Sequence, residues 1–562
     1  MKNTSDGGRA IFRVFDPAYV RDNIYRHAAR QTISLGPVMI ASVADKALPW
    51  LTAEVISENN YRWRSRKGIA DAQGLPDHRA IQTEQPARYI GVSASITNAA
   101  PRALDIIRLY RQLPKEIQPR AIIVGGWHAG DCPDEFLEAG ADIVVHGEGA
   151  GVLPKLLETM ERGGYLSEIP GISYRTETGI RRNGPEFLAL TQAELEALPN
   201  PNFDLVRYAK LKVVPVSRTW GCSGLCRFCR VKNEPRTLSP DRFTQHLKEL
   251  VSKGYRHFFL VDDRSEEDIE GFTAWLQQIA DFRRERHVRR FSLTVQARLS
   301  LAEEPEVLQL MRKAGVQTVA IGFESPIPEE VWAMRKPISP QKMVEWTHIW
   351  KRHGFYVHAM FIFGYPIPEG KRQPLNAAGE PMTARERANA FWRFLKAAKP
   401  DTIQVLALTP IPGTEDWDEL EEQNRIFKEL GWEAWDGLHV VFQPDAGMSP
   451  KEVQHEVMRI HRKFYAFRYL GSLGFASLMA HLLNVGATTV SMPFLWSLGM
   501  AWRWPLKGRF TEQAKLSWQR PLRAFRNALR RFGAHLIVQN ACKRLVHFSE
   551  RLETVARRRQ AH

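Results

Sequence analysis

The strongest constraint on this chain is an alternation, made twice, of short Val/Ile-rich runs with segments of helical period. In the first series the runs are PVMIASVA (37–44), RYIGVSAS (88–95), RAIIVGGWH (120–128) and ADIVVHGEG (141–149), the last three closing on Ser, His or Gly. Between them, stretches such as APRALDIIRLYRQL (100–113) place Leu and Ile at helical spacing. Strand, loop and helix repeated in this way predict a doubly wound, Rossmann-like (flavodoxin-like) α/β domain whose ligand sits at the carboxyl ends of the strands. Functional residues are expected where each run stops.

The second series carries runs near VVPVS (213–217), HFFLVDD (257–263), FSLTVQA (291–297), TVAIGFES (318–325), HAMFIFGYP (358–366) and TIQVLAL (402–408). Six such units suit a partial (β/α)6 barrel of TIM type, with its chemistry at the strand ends. The expected division is an amino-terminal extension over 1–32, the Rossmann-like domain over 33–165, and a linker with a small hairpin (GISYRTETGIRRNG) over 166–207. A barrel over 208–415 and a mostly helical extension over 416–468 follow. The remainder, 469–562, reads as an apolar hairpin and a basic helical tail.

That last segment has 34 residues without Asp, Glu, Lys or Arg, Tyr469 to Trp502. It exceeds the roughly 20 residues that span a bilayer, but Gly471, Gly474, Gly486 and Pro493 divide it. Contact with a membrane surface is favoured over a crossing, helped by the Trp-containing basic stretch AWRWPLKGRF. From Arg503 onward fifteen Lys or Arg face three acidic residues, so +12 of the overall +16 lies in the tail. A basic tail alone is weak support for nucleic acid, which is not expected as a partner. The first residues show no signal-peptide pattern, which leads to the expectation of a cytoplasmic chain, peripheral at the inner face of the membrane.

Three of the five cysteines fall within eight residues, S-R-T-W-G-C-S-G-L-C-R-F-C-R (217–230), directly after a predicted strand. This is not the dispersed, even set of a disulfide scaffold. Cys222, Cys226 and Cys229 in C-x3-C-x2-C spacing can hold three irons of a 4Fe-4S cube and leave the fourth open. A zinc knuckle would need a fourth protein ligand that neither flank offers.

From here the sequence resembles the radical S-adenosylmethionine superfamily, across Val213 to about Glu415. The resemblance implies that the open iron chelates S-adenosylmethionine and that Cys222, Cys226 and Cys229 are both metal ligands and the catalytic centre. It places Phe228 beside the adenine and Asp262 and Asp263 at the methionine amino group. Gln296 and Arg298 fall at the ribose or carboxylate, and Gly322, Glu324 and Ser325 behind the adenosine. Residues 35–160 resemble a cobalamin-binding module. Gly125, Gly126, Gly147 and Gly149 would let backbone approach the ligand, and Ser93, Ser95, His128 and Glu148 stand on the matching loops. The D-x-H-x-x-G sequence that supplies an axial histidine elsewhere is absent, so His128 is not read as a cobalt ligand.

The expected cofactors are thus a 4Fe-4S cluster, S-adenosylmethionine and cobalamin. The expected activity is methyl transfer to an unactivated carbon of a small-molecule or lipid-like substrate. A reductant protein such as flavodoxin or ferredoxin would supply the electron. Relatives with the same two domains also perform oxidative cyclisation, and a non-catalytic iron-sulfur electron-transfer protein is the alternative from another class.

Overall fold

The computed structural model describes residues 9–466 except 20–22, 24, 25, 289 and 337, together with Phe548, Leu552 and Val555. The apolar stretch 469–502 and nearly all of the basic tail lie outside the described residues. Among the described residues no helix is long and apolar enough to cross a membrane.

The first sheet has eight strands: β1 (Ala10–Asp16), β2 (Leu51–Ser57), β3 (Tyr89–Ser93), β4 (Ala121–Gly125), β5 (Ile143–Val145), β6 (Ile172–Thr176), β7 (Gly179–Asn183) and β8 (Val206–Arg207). Their spatial order is β7-β6-β5-β4-β3-β1-β2-β8, every pairing parallel except β5 with β6 and β6 with β7. The parallel core therefore has the flavodoxin-like order, and connections diverge between β1 and β3. A crevice must open there, at the carboxyl ends of the strands.

Three expectations are corrected. The segment 1–32 is not an extension, because β1 is a central strand flanked by β2 and β3. Arg13 in its middle hides the apolar pattern; the guanidinium is wholly buried and bonds Glu54 at 2.5 Å and Gln82 at 2.9 Å. PVMIASVA is not a strand but part of a helix, Leu35–Ala47, buried at Pro37, Val38, Met39 and 41–44. A helix covered on nearly every side loses the periodicity that distinguishes it from a buried strand. The stretch 166–207 is no free linker either: its hairpin pairs antiparallel onto β5, and β8 pairs onto β2 at the opposite edge.

The second sheet contains β9 (Val214–Val216), β12 (His257–Leu260), β13 (Ser292–Gln296), β14 (Val316–Glu324), β15 (Tyr356–Phe363) and β16 (Thr402–Ala407), all parallel and in chain order. A two-stranded ribbon, β10 (Thr219–Trp220) with β11 (Arg236–Thr237), projects from the end of β9. Strands β9 and β16 do not pair, so the barrel is an arc. Its last edge is finished by side chains of the helix Pro450–Phe464 and the residue after it. The N–H of Val405 donates to His461 Nε2 at 3.2 Å, and that of Ile403 to Tyr465 Oη at 3.0 Å. Tyr465 Oη donates in return to the Ile403 carbonyl at 2.7 Å. Edge groups left bare would be a template for another strand.

Candidate cluster and cofactor site

The cysteine loop is hung from one carboxylate. Asp262, at the end of β12, accepts from Ser217 Oγ and from the N–H of Arg218 and Thr219 at 2.9, 2.7 and 3.0 Å, all through Oδ1. The ribbon β10–β11 then pinches the loop 221–235 at its base. Gly221, at φ +89°, begins the turn, and a Cβ there would meet the carbonyl oxygens of Glu234 and Asn233 at 2.7 and 2.8 Å. Only glycine fits. Inside the loop Cys222 N–H donates to the Asn233 carbonyl and Cys229 N–H to that of Cys226.

All three thiols are free and half-buried. Burial pushes the Cys226 thiol up and that of Cys229 up to about 11, so bare thiolates are disfavoured and iron would have to stabilise them. Among the described residues no three His, Cys, Asp or Glu side chains converge on a single ion. A cube distributes its thiolates over separate corners, which three thiols spread along one short loop can meet.

Most of the other barrel residues singled out from the sequence gather around this loop, though not all in the roles assigned. Phe228 packs half-buried against the core. Asp262 is the loop anchor described above; its Oδ2 is buried without a partner, and burial pushes the carboxyl up to about 6. Asp263 accepts from Gly221 N–H at 3.3 Å. Gln296 Nε2 donates to the Asp262 carbonyl at 3.2 Å, and Arg298 N–H to Glu266 Oε1 at 3.0 Å. Glu324, in the left-handed region at φ +59°, meets Lys336 Nζ at 2.7 Å, and the same ammonium donates to the Gly322 carbonyl at 3.0 Å. Ser325 is fully buried and tied to Glu330, itself paired with Arg387 at 2.7 Å.

Sequence reasoning stopped at Asp263 and missed the three residues that follow Arg264. Glu267 accepts from Ser223 N–H of the cysteine loop at 2.7 Å. Ser265 Oγ and Glu266 Oε2 are buried with no hydrogen-bond partner among the described residues. A buried acceptor without a partner is costly, and these two beside the loop fit the amino group of an amino-acid ligand. The signal was present as the run S-E-E.

The crevice at the β1/β3 switch point is a cavity of about 610 Å³. Ser93, Ser95, Gly125, Gly126, Gly147, Glu148 and Gly149 all line it from the strand ends, as the sequence led one to expect. At Gly126, φ is +122° and a Cβ would lie 2.5 Å from Ser95 Oγ. The barrel closes the opposite wall with Thr219, Trp220, Gly221, Arg230, Val231 and Asp263. Two ion pairs hold the seam: Arg230 on Asp131 at 2.7 Å, and Arg236 on Glu148 at 2.7 Å.

His128 is the exception. It does not line the cavity. Its ring is buried edge-on to Phe136 and Trp432, neither nitrogen makes a hydrogen bond, Glu135 Oε2 lies 4.0 Å from Nε2, and burial lowers it to about 4. The helix Trp127–Asp131 starts right after Gly126, and successive helical side chains diverge by about 100°, so Trp127 faces the cavity and His128 does not. No His or Cys lines the cavity among the described residues. The large volume, the small residues at the strand ends and the apolar floor fit a bulky cofactor such as cobalamin.

The radical SAM superfamily domain matches residues 216–373 and the B12 binding domain residues 73–157. The chain thus carries both a radical S-adenosylmethionine domain and a B12 binding domain. Its cofactors are a 4Fe-4S cluster, S-adenosylmethionine and cobalamin. It is similar to the uncharacterized methyltransferase PH0819 of Pyrococcus horikoshii, 25% identical over 72% of this chain and 83% of that protein. The hopanoid C-3 methylase of Methylococcus capsulatus is 25% identical over 68% of this chain and 70% of its own. In fold it resembles the cobalamin-dependent S-adenosylmethionine radical enzyme OxsB, solved with aqua-cobalamin, at a TM-score of 0.59 and 15% identity over 96% of this chain and 84% of that one.

Proposed function

We propose that this chain is a cobalamin-dependent radical S-adenosylmethionine methyltransferase that acts on an unactivated carbon of a small-molecule or lipid-like substrate. The observation that carries the reading is the shared wall: Gly221 and Arg230, each next to a cluster cysteine, line the same cavity as the strand ends of the first sheet. When bound, the groups would supply an electron, a hydrogen-abstracting adenosyl radical and a methyl group. The chain's own work is placement. Cys222, Cys226 and Cys229 would hold the cluster, and Glu266 and Ser265 would orient the amino group of S-adenosylmethionine. Gln296 and Arg298 would stand at its ribose or carboxylate and Gly322 and Glu324 behind the adenosine, with Phe228 near the base. Ser93, Ser95 and the glycines of β4 and β5 would cradle cobalamin.

The name of the hopanoid methylase supports a lipid-like substrate. The uncharged 469–502 segment with its basic sequel supports a cytoplasmic chain resting on a membrane surface, and a flavodoxin or ferredoxin supplying the electron completes the reading. The test is anaerobic reconstitution followed by incubation with S-adenosylmethionine and dithionite. 5'-Deoxyadenosine together with a methylated product from a hopanoid-type lipid extract is expected. Deoxyadenosine without methyl transfer would favour the oxidative cyclase alternative, and no deoxyadenosine would defeat the radical reading. Flotation with anionic vesicles, comparing the full chain with one ending at Arg468, tests the membrane contact.

A further inference from the structure

The cavity changes chemical character with depth. Strands β1, β3 and β4 run parallel toward the barrel, so later residues stand nearer the mouth. Asp16, Ser93 and Gly125 are at the mouth, while Phe12, Gly91 and Ile123 lie two to four residues below, roughly 7 to 13 Å deeper. The helix Leu35–Ala47 descends on the facing side. Ser34 is at its entrance, and Ile40, six residues on, is about 9 Å further in. Ile40 and Leu153 complete the floor with Met39.

Every side chain of this floor is apolar. A Cβ at Gly91 would lie 2.9 Å from Phe12 Cζ, so the missing side chain lets the Phe12 ring lie across the sheet as a flat base. Of the polar residues that line the cavity, Asp16, Ser34, Ser93 and Ser95 stand near the mouth, and Ser217, Thr219, Arg230, Asn233 and Asp263 belong to the barrel wall opposite the floor. A benzimidazole placed on the floor would strip water from a single ring nitrogen, whereas a base carrying an amino group and several ring nitrogens would be stripped at all of them without replacement.

We infer that the floor selects among corrinoids by the base of the nucleotide tail, admitting benzimidazole and rejecting purine. The inference rests on the cobalamin reading of the cavity and assigns the discrimination to Phe12, Met39, Ile40, Gly91, Ile123 and Leu153. Leaving purine polar groups unpaired should weaken binding about tenfold to a hundredfold relative to the benzimidazole form.

The experiment is equilibrium dialysis of the full chain against three corrinoids, read by absorbance: hydroxocobalamin, its adenine-base counterpart, and cobinamide, which has no base. The expected order is cobalamin tightest, with both others weaker by about tenfold or more. An adenine-base corrinoid binding within about threefold of cobalamin overturns the inference. Ile40→Gln places an amide on the floor and should narrow the cobalamin-to-adenine ratio by about threefold or more; an unchanged ratio overturns the assignment of the floor. A ratio taken on one preparation is indifferent to partial loss of folded protein. If none of the three is retained, the cobalamin reading fails and takes the inference with it; if all three bind alike, the inference alone fails.

Discussion

Removing the Glu148 carboxylate separates two roles for that residue. Sequence analogy made it a cofactor contact, yet its oxygens lie 2.7 Å from both Nη atoms of Arg236, and Oε2 also takes the Leu190 N–H at 2.7 Å. The two side chains are 12% and 8% exposed. Glu148→Ala therefore strands a nearly buried guanidinium at the seam between the sheets. Breaking such a pair costs about 3 kcal/mol or somewhat more, whereas replacing both members by apolar groups is close to neutral. Urea unfolding of Glu148→Ala, Arg236→Met and the double variant measures the coupling. The expected result is a loss of about 3 kcal/mol in Glu148→Ala, with the double variant recovering most of it. A Glu148→Ala protein within about 1 kcal/mol of the parent that nonetheless binds cobalamin more weakly would refute the clamp and restore the ligand role.

At Gly221, alanine would add the strain of a positive φ to contacts of 2.7 and 2.8 Å with backbone oxygens. Iron and sulfide per chain after reconstitution should fall by at least about half, as expected for a penalty of about 1 to 3 kcal/mol on the loop's closed form; full loading would contradict the geometry. Acid lability is the third expectation. Burial holds His128 and His246 down at about 4 and lowers His461 as well. These rings stay neutral when folded and take protons when unfolded. For His128 and His246 the contribution is whole above about pH 6.5 and is lost as pH falls toward 4, at up to about 1.4 kcal/mol per pH unit for each, and His461 adds in the same direction. Denaturation midpoints unchanged between pH 7 and 5 would refute this.

The strand ends of the first domain were legible because glycine, serine and a terminating apolar run leave their mark in sequence whatever the packing. The cysteine loop was legible for a similar reason, since its spacing is local. What escaped depended on partners distant in the chain. Arg13 could sit in a central strand because Glu54 and Gln82 meet it there. The helix Leu35–Ala47 lost its periodicity to burial on nearly every side. His128 and Ser325 follow the cavity-lining Gly126 and the Lys336-paired Glu324 by one or two positions. A single step of helix or turn was enough to send each to another face. Glu266 and Ser265 become conspicuous only when burial leaves Glu266 Oε2 and Ser265 Oγ without a hydrogen-bond partner among the described residues.

The edge that His461 and Tyr465 finish has a bearing on how large a guest the barrel tolerates. In a closed barrel, strand number and stagger fix the diameter. Here the ring of backbone bonds stops at β16, and the last two donors rest on an imidazole and a phenol. The width of the mouth is thus not dictated by a closed hydrogen-bonded hoop; on that side it is set by how the helix Pro450–Phe464 packs on β16. The two flanks of the arc are therefore held differently: side-chain acceptors finish it at β16, while the cysteine loop, five strands away, hangs from the Asp262 carboxylate.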